Sequence, residues 1–478
     1  MRKSGILLPL FSLDGKYGTG TMGKSAFEFV DFLYESKQTL WQILPLNPTS
    51  YGNSPYQSPG IFAGNPYFID PEILYRDGFI SKNTLSDFES ENTGSVDYSY
   101  LYKTRLSLLK RAVDGIPDSD SKYLDFCSKE DFWLEKYCTF SALKEINHML
   151  PHNLWKYKGA ADIASAKGLV AIHKKIQYVF FNQWLNLKKY ANDKNIAIIG
   201  DLPIYPARDS SDYYFSPEMF IKGRVASCPP DNFNTEGQLW GNPIYDWQKL
   251  KDDNYLWWKE RLRHASAIYD SIRIDHFRGF YEYYSTKENY SAKEGCWSKG
   301  PGLDFCNMVK SNFGNLDIIA EDLGFLTDDT RQFFRDSGFA TMKVLQFAFD
   351  ENDSEYLPHN HIKNCVVYTG THDNPTTLEW ICKAGSSTLS KTMDYLGAPS
   401  VYSLSDYFIR GAFSSVADRA IIPLQDWLKI GSVGRINTPG TTENNWQWRI
   451  KDELLTKNLI EKISHYTKTY NRIPEESL

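Results

Sequence analysis

Short apolar runs rich in β-branched residues recur along the chain, and segments with helical spacing lie between several of them. The eight runs that predict strands are Ile6–Leu10, Leu40–Leu46, Ile196–Ile204, Ser271–Phe277, Asp317–Leu323, Met342–Phe347, Cys365–Thr369 and Ala420–Leu424. Lys24–Gln38 and Ile176–Tyr190 each place their apolar residues on one helical stripe. Buried strands that alternate with helices indicate a parallel sheet. The predicted fold is therefore α/β, a (β/α)8 TIM barrel.

Two intervals are too long to be simple connections between a strand and the next helix. They cover residues 47–195, after the second predicted strand, and residues 205–270, after the third. Long insertions on the catalytic face of a barrel usually build the substrate cleft. We expect one catalytic barrel over residues 1–478, with an insertion subdomain at 47–195 and substrate loops at 205–270. Too few residues follow Arg449 for a C-terminal β-sandwich.

An acidic residue lies at the end of four of the predicted strands. These residues are Asp201, Asp275, Glu321 and Asp373. Because the C-terminal ends of parallel barrel strands share one face, we expect the four side chains to converge in one cleft. Cleavage at an acetal carbon needs one group that protonates the leaving oxygen and another that stabilises or captures the cation.

Alternation along a strand puts Arg273 and Asp275 on the same side. We expect the guanidinium to keep Asp275 ionised, which suits a nucleophile; the alternative is a structural ion pair. Burial of Glu321 at its strand end would raise its pKa and suit it to be a general acid. Its neighbour Asp322 is expected to anchor a loop.

His372 and Asp373 are adjacent, which is compatible with a Ser-His-Asp hydrolase or a metal site. However, no Gly-x-Ser-x-Gly motif and no His-x-x-x-His spacing accompanies them. Hydrogen bonding to substrate hydroxyls is the favoured interpretation, and no metal or cofactor is expected. On composition alone, the loop Tyr51–Ser58 and the surroundings of Trp240 are turn-rich connectors.

The bulk composition excludes several kinds of partner. The net charge is −6, with 53 basic and 59 acidic residues and no long basic run, which argues against nucleic acids and anionic membranes. No run approaches the roughly 20 apolar residues of a membrane span, and the N-terminal apolar stretch is too short for a signal peptide. Seven cysteines without a Cys-x-x-Cys pair suggest reduced thiols and a cytoplasmic location. Aromatic residues reach 15%, enough to supply rings for sugar stacking.

Taken in order, a series of motifs between about Ser4 and Arg449 gives the most specific signal. They include Ser54–Ser58, Phe62–Tyr67, Gly200–Tyr205, Pro229–Asp231, Gly237–Tyr245, Arg273–Gly279, Ala320–Gly324, Thr371–Asn374, Pro423–Asp426 and Asn445–Arg449. This series resembles the amylomaltase family of 4-α-glucanotransferases, which is glycoside hydrolase family 77 of the α-amylase clan. The sequence departs from the usual residues of the family at Asn53, Pro206 and Ser227–Cys228. These departures affect the expected loop geometry and the preferred length of the glucan, but not the catalytic set.

The resemblance implies an enzyme that transfers α-1,4-glucan segments to the 4-hydroxyl of an acceptor glucan or glucose, with retention. It makes Asp275 the nucleophile, Glu321 the acid/base and Asp373 the transition-state stabiliser. The residues that it places along the substrate path are Arg273, His372, Asp201, Tyr56, Trp240, Asp350, Ser54, Tyr51 and Gln238. It also implies maltooligosaccharide or glucan substrates, no cofactor and a cytosolic enzyme; the oligomeric state stays open.

Two alternatives remain at this point. A hydrolase would use the same residues with water as the acceptor, and an inactive glucan-binding protein would need none of them. The intact set of Asp275, Glu321 and Asp373 disfavours the second alternative.

Overall fold

The computed structural model describes residues 2–230, 235–324, 326–350 and 354–473. Within them, the strands are β1 Lys3–Leu7, β2 Leu40–Gln42, β3 Ala197–Leu202, β4 Phe220–Cys228, β5 Gln238–Tyr245, β6 Ser271–Ile274, β7 Glu282–Lys287, β8 Cys296–Lys299, β9 Asp317–Ala320, β10 Thr341–Val344, β11 Cys365–Tyr368 and β12 Arg419–Pro423. The α-helices are α1 Lys24–Glu35, α2 Pro71–Arg76, α3 Lys82–Ser86, α4 Tyr98–Val113, α5 Ser121–Lys129, α6 Asp131–Ile146, α7 Ala160–Ser165, α8 Lys167–Asp193, α9 Ser211–Phe215, α10 Trp247–Asp252, α11 Leu256–Ile268, α12 Leu303–Asn312, α13 Asp328–Ser337, α14 Thr377–Lys383, α15 Ser386–Leu396, α16 Leu404–Ser414, α17 Leu424–Trp427 and α18 Lys457–Thr469.

Eight strands pair in parallel in the order β10-β11-β12-β1-β2-β3-β6-β9, which confirms the predicted barrel. A single bridge between Ile319 and Ala340 joins the two end strands, so the barrel is nearly closed. Several strands end earlier than predicted, because the residues that follow leave the ladder to form site loops. The predicted strand Ser271–Phe277, for example, ends at Ile274 and is followed by a 3₁₀ turn at Phe277–Phe280.

The barrel interior is filled by one inward row from each strand. Leu7, Leu40, Ile199, Ile319, Met342, Val344, Val366, Tyr368 and Ile421 form this inner apolar cluster. Alternate residues such as Ile6, Trp41, Ile198 and Ile272 belong to a larger cluster outside the barrel. The inward row of β3 carries Ile199 and then Asp201, because these residues are two apart. The polar ends of the inward rows therefore face the same opening.

The longest connections between barrel strands follow β2 and β3, and those after β6 and β11 are also long. Helices α2–α8 lie between β2 and β3, and the predicted stripe Ile176–Tyr190 is part of the long helix α8. Strands β4, β5, β7 and β8 form a second, antiparallel sheet in the order β5-β4-β7-β8, which the sequence did not predict. None of the helices in the described ranges is long and apolar enough to cross a membrane.

Candidate active site

Three acidic side chains converge on the buried guanidinium of Arg273. Its Nη1 donates to both oxygens of Asp201 at 2.7 and 2.6 Å. Its Nη2 donates to Asp275 Oδ1 at 3.1 Å and to Glu321 Oε2 at 2.9 Å. Strand register explains this geometry, since Asp201 and Arg273 are cross-strand partners on β3 and β6. The structure thus brings together the strand-end carboxylates that the sequence predicted would meet.

The pKa shifts of the two carboxyls beside Arg273 differ in direction from the expectation. Burial, followed by the negative charge of Glu321, raises the pKa of Asp275 well above its usual range, although Arg273 opposes the shift. Burial alone would also raise the pKa of Glu321. Arg273, the N–H of His276 and a hydrogen bond from Asp275 outweigh burial and lower that pKa. The two pKa values are therefore shifted in directions opposite to those expected from the sequence, that of Asp275 upward and that of Glu321 downward.

The backbone after Asp275 contributes to the lowered pKa of Glu321. His276 adopts a left-handed conformation with φ 48° and ψ 46°, which turns its N–H toward Glu321 Oε2 at 2.6 Å. Burial lowers the pKa of its imidazole to about 4, so the ring is neutral at neutral pH. Trp240 packs edge-to-face on this ring, with centroids 4.8 Å apart. The strained turn thus connects the general-acid candidate to Trp240, which lies on strand β5 and not in the turn-rich connector expected from composition.

Tyr56 links the Asp201 side of the site to the His372 side. Its hydroxyl donates to Asp201 Oδ2 at 2.7 Å and lies 2.9 Å from His372 Nε2. The Tyr56 and His372 rings stack, with centroids 5.5 Å apart and planes 12° apart. His372 Nε2 lies 3.4 Å from Asp373 Oδ2, and the Asp373 side chain is 38% exposed. Tyr56 therefore joins the His372–Asp373 pair to the Arg273 cluster, and the Asp373 carboxylate stays accessible.

Two residues of this region were not assigned a role from the sequence. Asn437 Nδ2 donates to Asp373 Oδ1 at 2.7 Å, and the Asn437 N–H donates to the His372 carbonyl. The Trp446 ring lies 5.7 Å from the Tyr56 ring and 6.0 Å from the His372 ring. Trp446 belongs to a motif of the resemblance, whereas no sequence signal marks Asn437.

The predicted loop residues occupy different places around the cluster. Trp240 Nε1 donates to Gln238 Oε1 at 3.2 Å, and Gln57 Nε2 donates to the Trp240 carbonyl at 3.3 Å. Ser54 Oγ accepts from the Tyr56 N–H at 3.2 Å, so Ser54 supports the Tyr56 turn.

Tyr51 is 74% exposed at the start of the same loop. Asp350 lies at an exposed position, and no hydrogen bond or ion pair joins it to the cluster among the described residues. Their predicted roles, like those of the other site residues, stay predictions. Across the described ranges, no group of three His, Cys, Asp or Glu side chains is arranged to hold a metal ion.

The opposite pKa shifts of Asp275 and Glu321 predict a bell-shaped dependence of kcat/KM on pH. Between the two apparent pKa values the pair holds one proton, which is the state that acid-assisted cleavage needs. Activity should fall as the pH rises through the raised pKa, because the pair loses that proton. It should also fall at low pH, below the usual carboxylate range, because the lowered pKa is that of the second protonation. Initial rates across pH measure this, and a profile with only one limb would contradict it.

The chain is similar to known proteins over most of its length. The family model described as 4-alpha-glucanotransferase matches residues 8–456. A 4-alpha-glucanotransferase from Clostridium butyricum is 44% identical, over 96% of this chain and 99% of its own length. One from Streptococcus pneumoniae serotype 4 is 43% identical, over 99% and 98%. The solved structure of an amylomaltase from Streptococcus agalactiae in complex with acarbose covers 99% of this chain and 100% of its own, with 35% identity and a TM-score of 0.96.

Proposed function

The chain belongs to the 4-α-glucanotransferase family, and we propose that it carries out this activity by a retaining double displacement with Asp275 as the nucleophile. The arrangement that carries the proposal is the pair of carboxyls held by one buried guanidinium. Asp275 and Glu321 share Arg273 and have pKa values shifted in opposite directions. Two carboxyls that share a proton in this way suit the acid and nucleophile roles of a retaining enzyme.

In the first step, Asp275 attacks the anomeric carbon of an α-1,4-linked glucosyl unit. Glu321 gives its proton to the departing glycosidic oxygen, and the fragment with the old reducing end leaves. In the free protein the pKa of Asp275 is raised and that of Glu321 is lowered, so donor binding must shift the preference of the shared proton toward Glu321. A sugar that separates the two carboxyls would break their hydrogen bond and leave Asp275 ionised beside Arg273.

In the second step, Glu321 acts as the base. It accepts the proton of an incoming 4-hydroxyl while that oxygen attacks the glycosyl–Asp275 ester, which releases Asp275 as a carboxylate. Two inversions give net retention, so the new linkage is again α-1,4. Arg273 serves both steps. Its Nη1 stays hydrogen-bonded to Asp201, and its Nη2 contacts both Asp275 and Glu321, so it can stabilise negative charge on either carboxyl.

We propose that Asp373 and His372 bind hydroxyls of the sugar that reacts. Asn437 holds one oxygen of Asp373, and the other faces His372, so the carboxylate is oriented before substrate binds. Hydrogen bonds that strengthen as the ring flattens would contribute mainly to the transition state. Tyr56 would set the position of the His372 ring through its stacking and its hydroxyl.

The acceptor must be a glucan rather than water for transfer to dominate, and we propose that Trp240 helps to select it. Its ring reaches the His276 turn beside Glu321, and its backbone lies on strand β5, where Gln57 binds the Trp240 carbonyl from the Tyr56 segment. Stacking on an incoming sugar would orient the acceptor and exclude water, and such positioning can supply large rate factors.

Replacing Trp240 with Ala should therefore lower total turnover and raise the hydrolysed share of the product severalfold. With maltotriose as the only substrate, the wild-type protein should give glucose and a ladder of longer glucans. New reducing ends measured against transferred chains give the ratio. Trp297→Ala is the control, since Trp297 is 41% exposed on β8 of the second sheet and should leave the ratio unchanged. An unchanged ratio in Trp240→Ala would show that Trp240 only packs against its surroundings in the second sheet.

We further propose that the protein works in the cytosol on maltooligosaccharides or soluble glucans. Cys296 and Cys382 are exposed thiols outside any disulfide. Exposed free thiols are compatible with a reducing compartment.

A further inference from the structure

The seam between β9 and β10 differs from the other parallel contacts of the barrel. Its bridge is formed by the Ala340 N–H, which donates to the Ile318 carbonyl at 3.2 Å, and the Ala320 N–H, which donates to the Ala340 carbonyl at 2.7 Å. In a regular parallel ladder, the Met342 N–H would donate next to the Ala320 carbonyl. Here the Met342 N–H donates instead to Asp322 Oδ1 at 2.7 Å. A carboxylate therefore takes the place of a backbone acceptor at this step of the ladder.

Glu321 lies between Ala320, whose N–H bonds to β10, and Asp322, whose carboxylate accepts the next bond from β10. On the β6 side, its own N–H donates to the Ile274 carbonyl at 3.2 Å. On the β10 side, the bond from Met342 to Asp322 is the next attachment after Ala320. The segment that carries Glu321 is thus fixed to both neighbouring strands, and on the β10 side the acceptor is the Asp322 side chain instead of a backbone carbonyl.

The surroundings of Asp322 show why a carboxylate is tolerated there. The residue is 4% exposed, and Lys343 Nζ lies 3.5 Å from its Oδ2. Lys343 also pairs with Glu355 at 2.6 Å, and Glu355 in turn pairs with Arg331 at 3.3 Å. Tyr356 and Cys365 are the other titratable groups that interact with Asp322. Burial raises the pKa of Asp322 to about 6, although Lys343 opposes the shift.

We propose that Asp322 is a positioning residue for Glu321, which it aims at the reacting oxygen by replacing the missing backbone bond with its own side chain. This inference rests on the proposed role of Glu321 as the acid/base. If it is correct, the loss of Asp322 impairs proton transfer more than it impairs glycosyl binding or attack. A displacement of about 1 Å at a reacting group can reduce the rate by roughly 10²-fold.

The test compares two donors that differ in their need for an acid. Maltotriose loses a sugar alkoxide and requires a proton, whereas α-maltosyl fluoride loses fluoride, which leaves without one. Asp322→Ala should reduce the rate with maltotriose by roughly 10- to 100-fold, with KM little changed. The first-turnover release of fluoride should stay close to the wild-type rate. Asp322→Asn should retain most of the activity, because an amide oxygen can also accept from the Met342 N–H.

Glu355→Gln is the matched control, since it removes a carboxylate from the same ion cluster without touching the Met342 bond. It is expected to lower thermal stability and to affect both donors alike. If Asp322→Ala does not fold, Asp322→Glu keeps the charge but displaces the carboxylate, and the same selective loss is expected. Equal losses with both donors, or full activity with maltotriose, would overturn the proposal. Glu321→Gln in parallel separates this failure from a wrong assignment of the acid, because it should show the larger selective loss.

Discussion

Replacing Asp275 with Asn should reduce transfer from maltotriose by about 10⁴-fold or more, as expected when a nucleophile that acts with other groups is removed. Asn is close in shape to Asp, so the loss would be chemical rather than steric. The amide cannot form the glycosyl ester, and the substitution also removes the partner with which Glu321 shares its proton. The loss should persist with α-maltosyl fluoride, since a better leaving group does not replace the nucleophile.

Asp317→Asn provides the control for this variant. Asp317 begins β9, the strand that leads to Glu321, and it pairs with Arg419 at 2.7 Å. The opposite end of β9 leads to the cleft, so this substitution should lower stability while the rate stays close to wild type. Initial rates of glucose release from maltotriose measure both variants. Residual activity of Asp275→Asn within tenfold of wild type would show that another group is the nucleophile.

Replacing Glu321 with Gln should reduce transfer from maltotriose by roughly 10²- to 10⁴-fold, the usual contribution of general acid–base catalysis. The effect should depend on the reactants. With α-maltosyl fluoride, the first-turnover release of fluoride should be nearly unaffected, because no acid is needed. Later turnovers should be slow, since the acceptor hydroxyl then lacks a base.

Azide ion tests the second half of this prediction. Azide needs no base, so it should accelerate steady-state turnover of Glu321→Gln and give a maltosyl azide of retained configuration. Fluoride release and product analysis by NMR provide the two readouts. Equal loss with both donors and no response to azide would show that Glu321 holds the site together without transferring protons.

Much of the barrel and its carboxylates could be predicted because a few local rules determine them. The apolar runs mark the strands, and the common direction of parallel strands brings Asp201, Asp275 and Glu321 to one opening. Alternation on β6 similarly predicts that Arg273 and Asp275 face the same side. These features depend on residues near each other in sequence or on a general property of the fold.

The protonation of the pair could not be predicted in the same way. It depends on the left-handed His276, whose N–H turns to Glu321, and on how one guanidinium divides its bonds among three carboxylates. Neither is encoded by the strand pattern. Alternation on β6 predicts the contact of Asp275 with Arg273, but the pKa of Asp275 is raised because burial and the charge of Glu321 outweigh that contact.

Contacts between distant parts of the chain account for the other omissions. Asn437 reaches Asp373 from a loop with no periodic pattern, so its role appears only in three dimensions. The second sheet joins β4 and β5 to β7 and β8 from a different connection, and register shifts between β4 and β5 interrupt the alternation that would mark them. Sequence patterns describe such segments as loops.

Trapping the glycosyl ester is the most direct test of whether Asp275 is the nucleophile. Glu321→Gln is incubated with α-maltosyl fluoride without an acceptor, so that the ester forms but is released slowly. Mass spectrometry of the intact protein and of its peptides then locates the added maltosyl group. We expect one maltosyl group per chain, on the peptide that contains Asp275, and its rapid loss when azide is added, whereas maltose, whose hydroxyl needs a base, should release it only slowly. A stable adduct on Asp373 or Asp201, or release of fluoride with inverted maltose and no adduct, would contradict the assignment of Asp275 as the nucleophile.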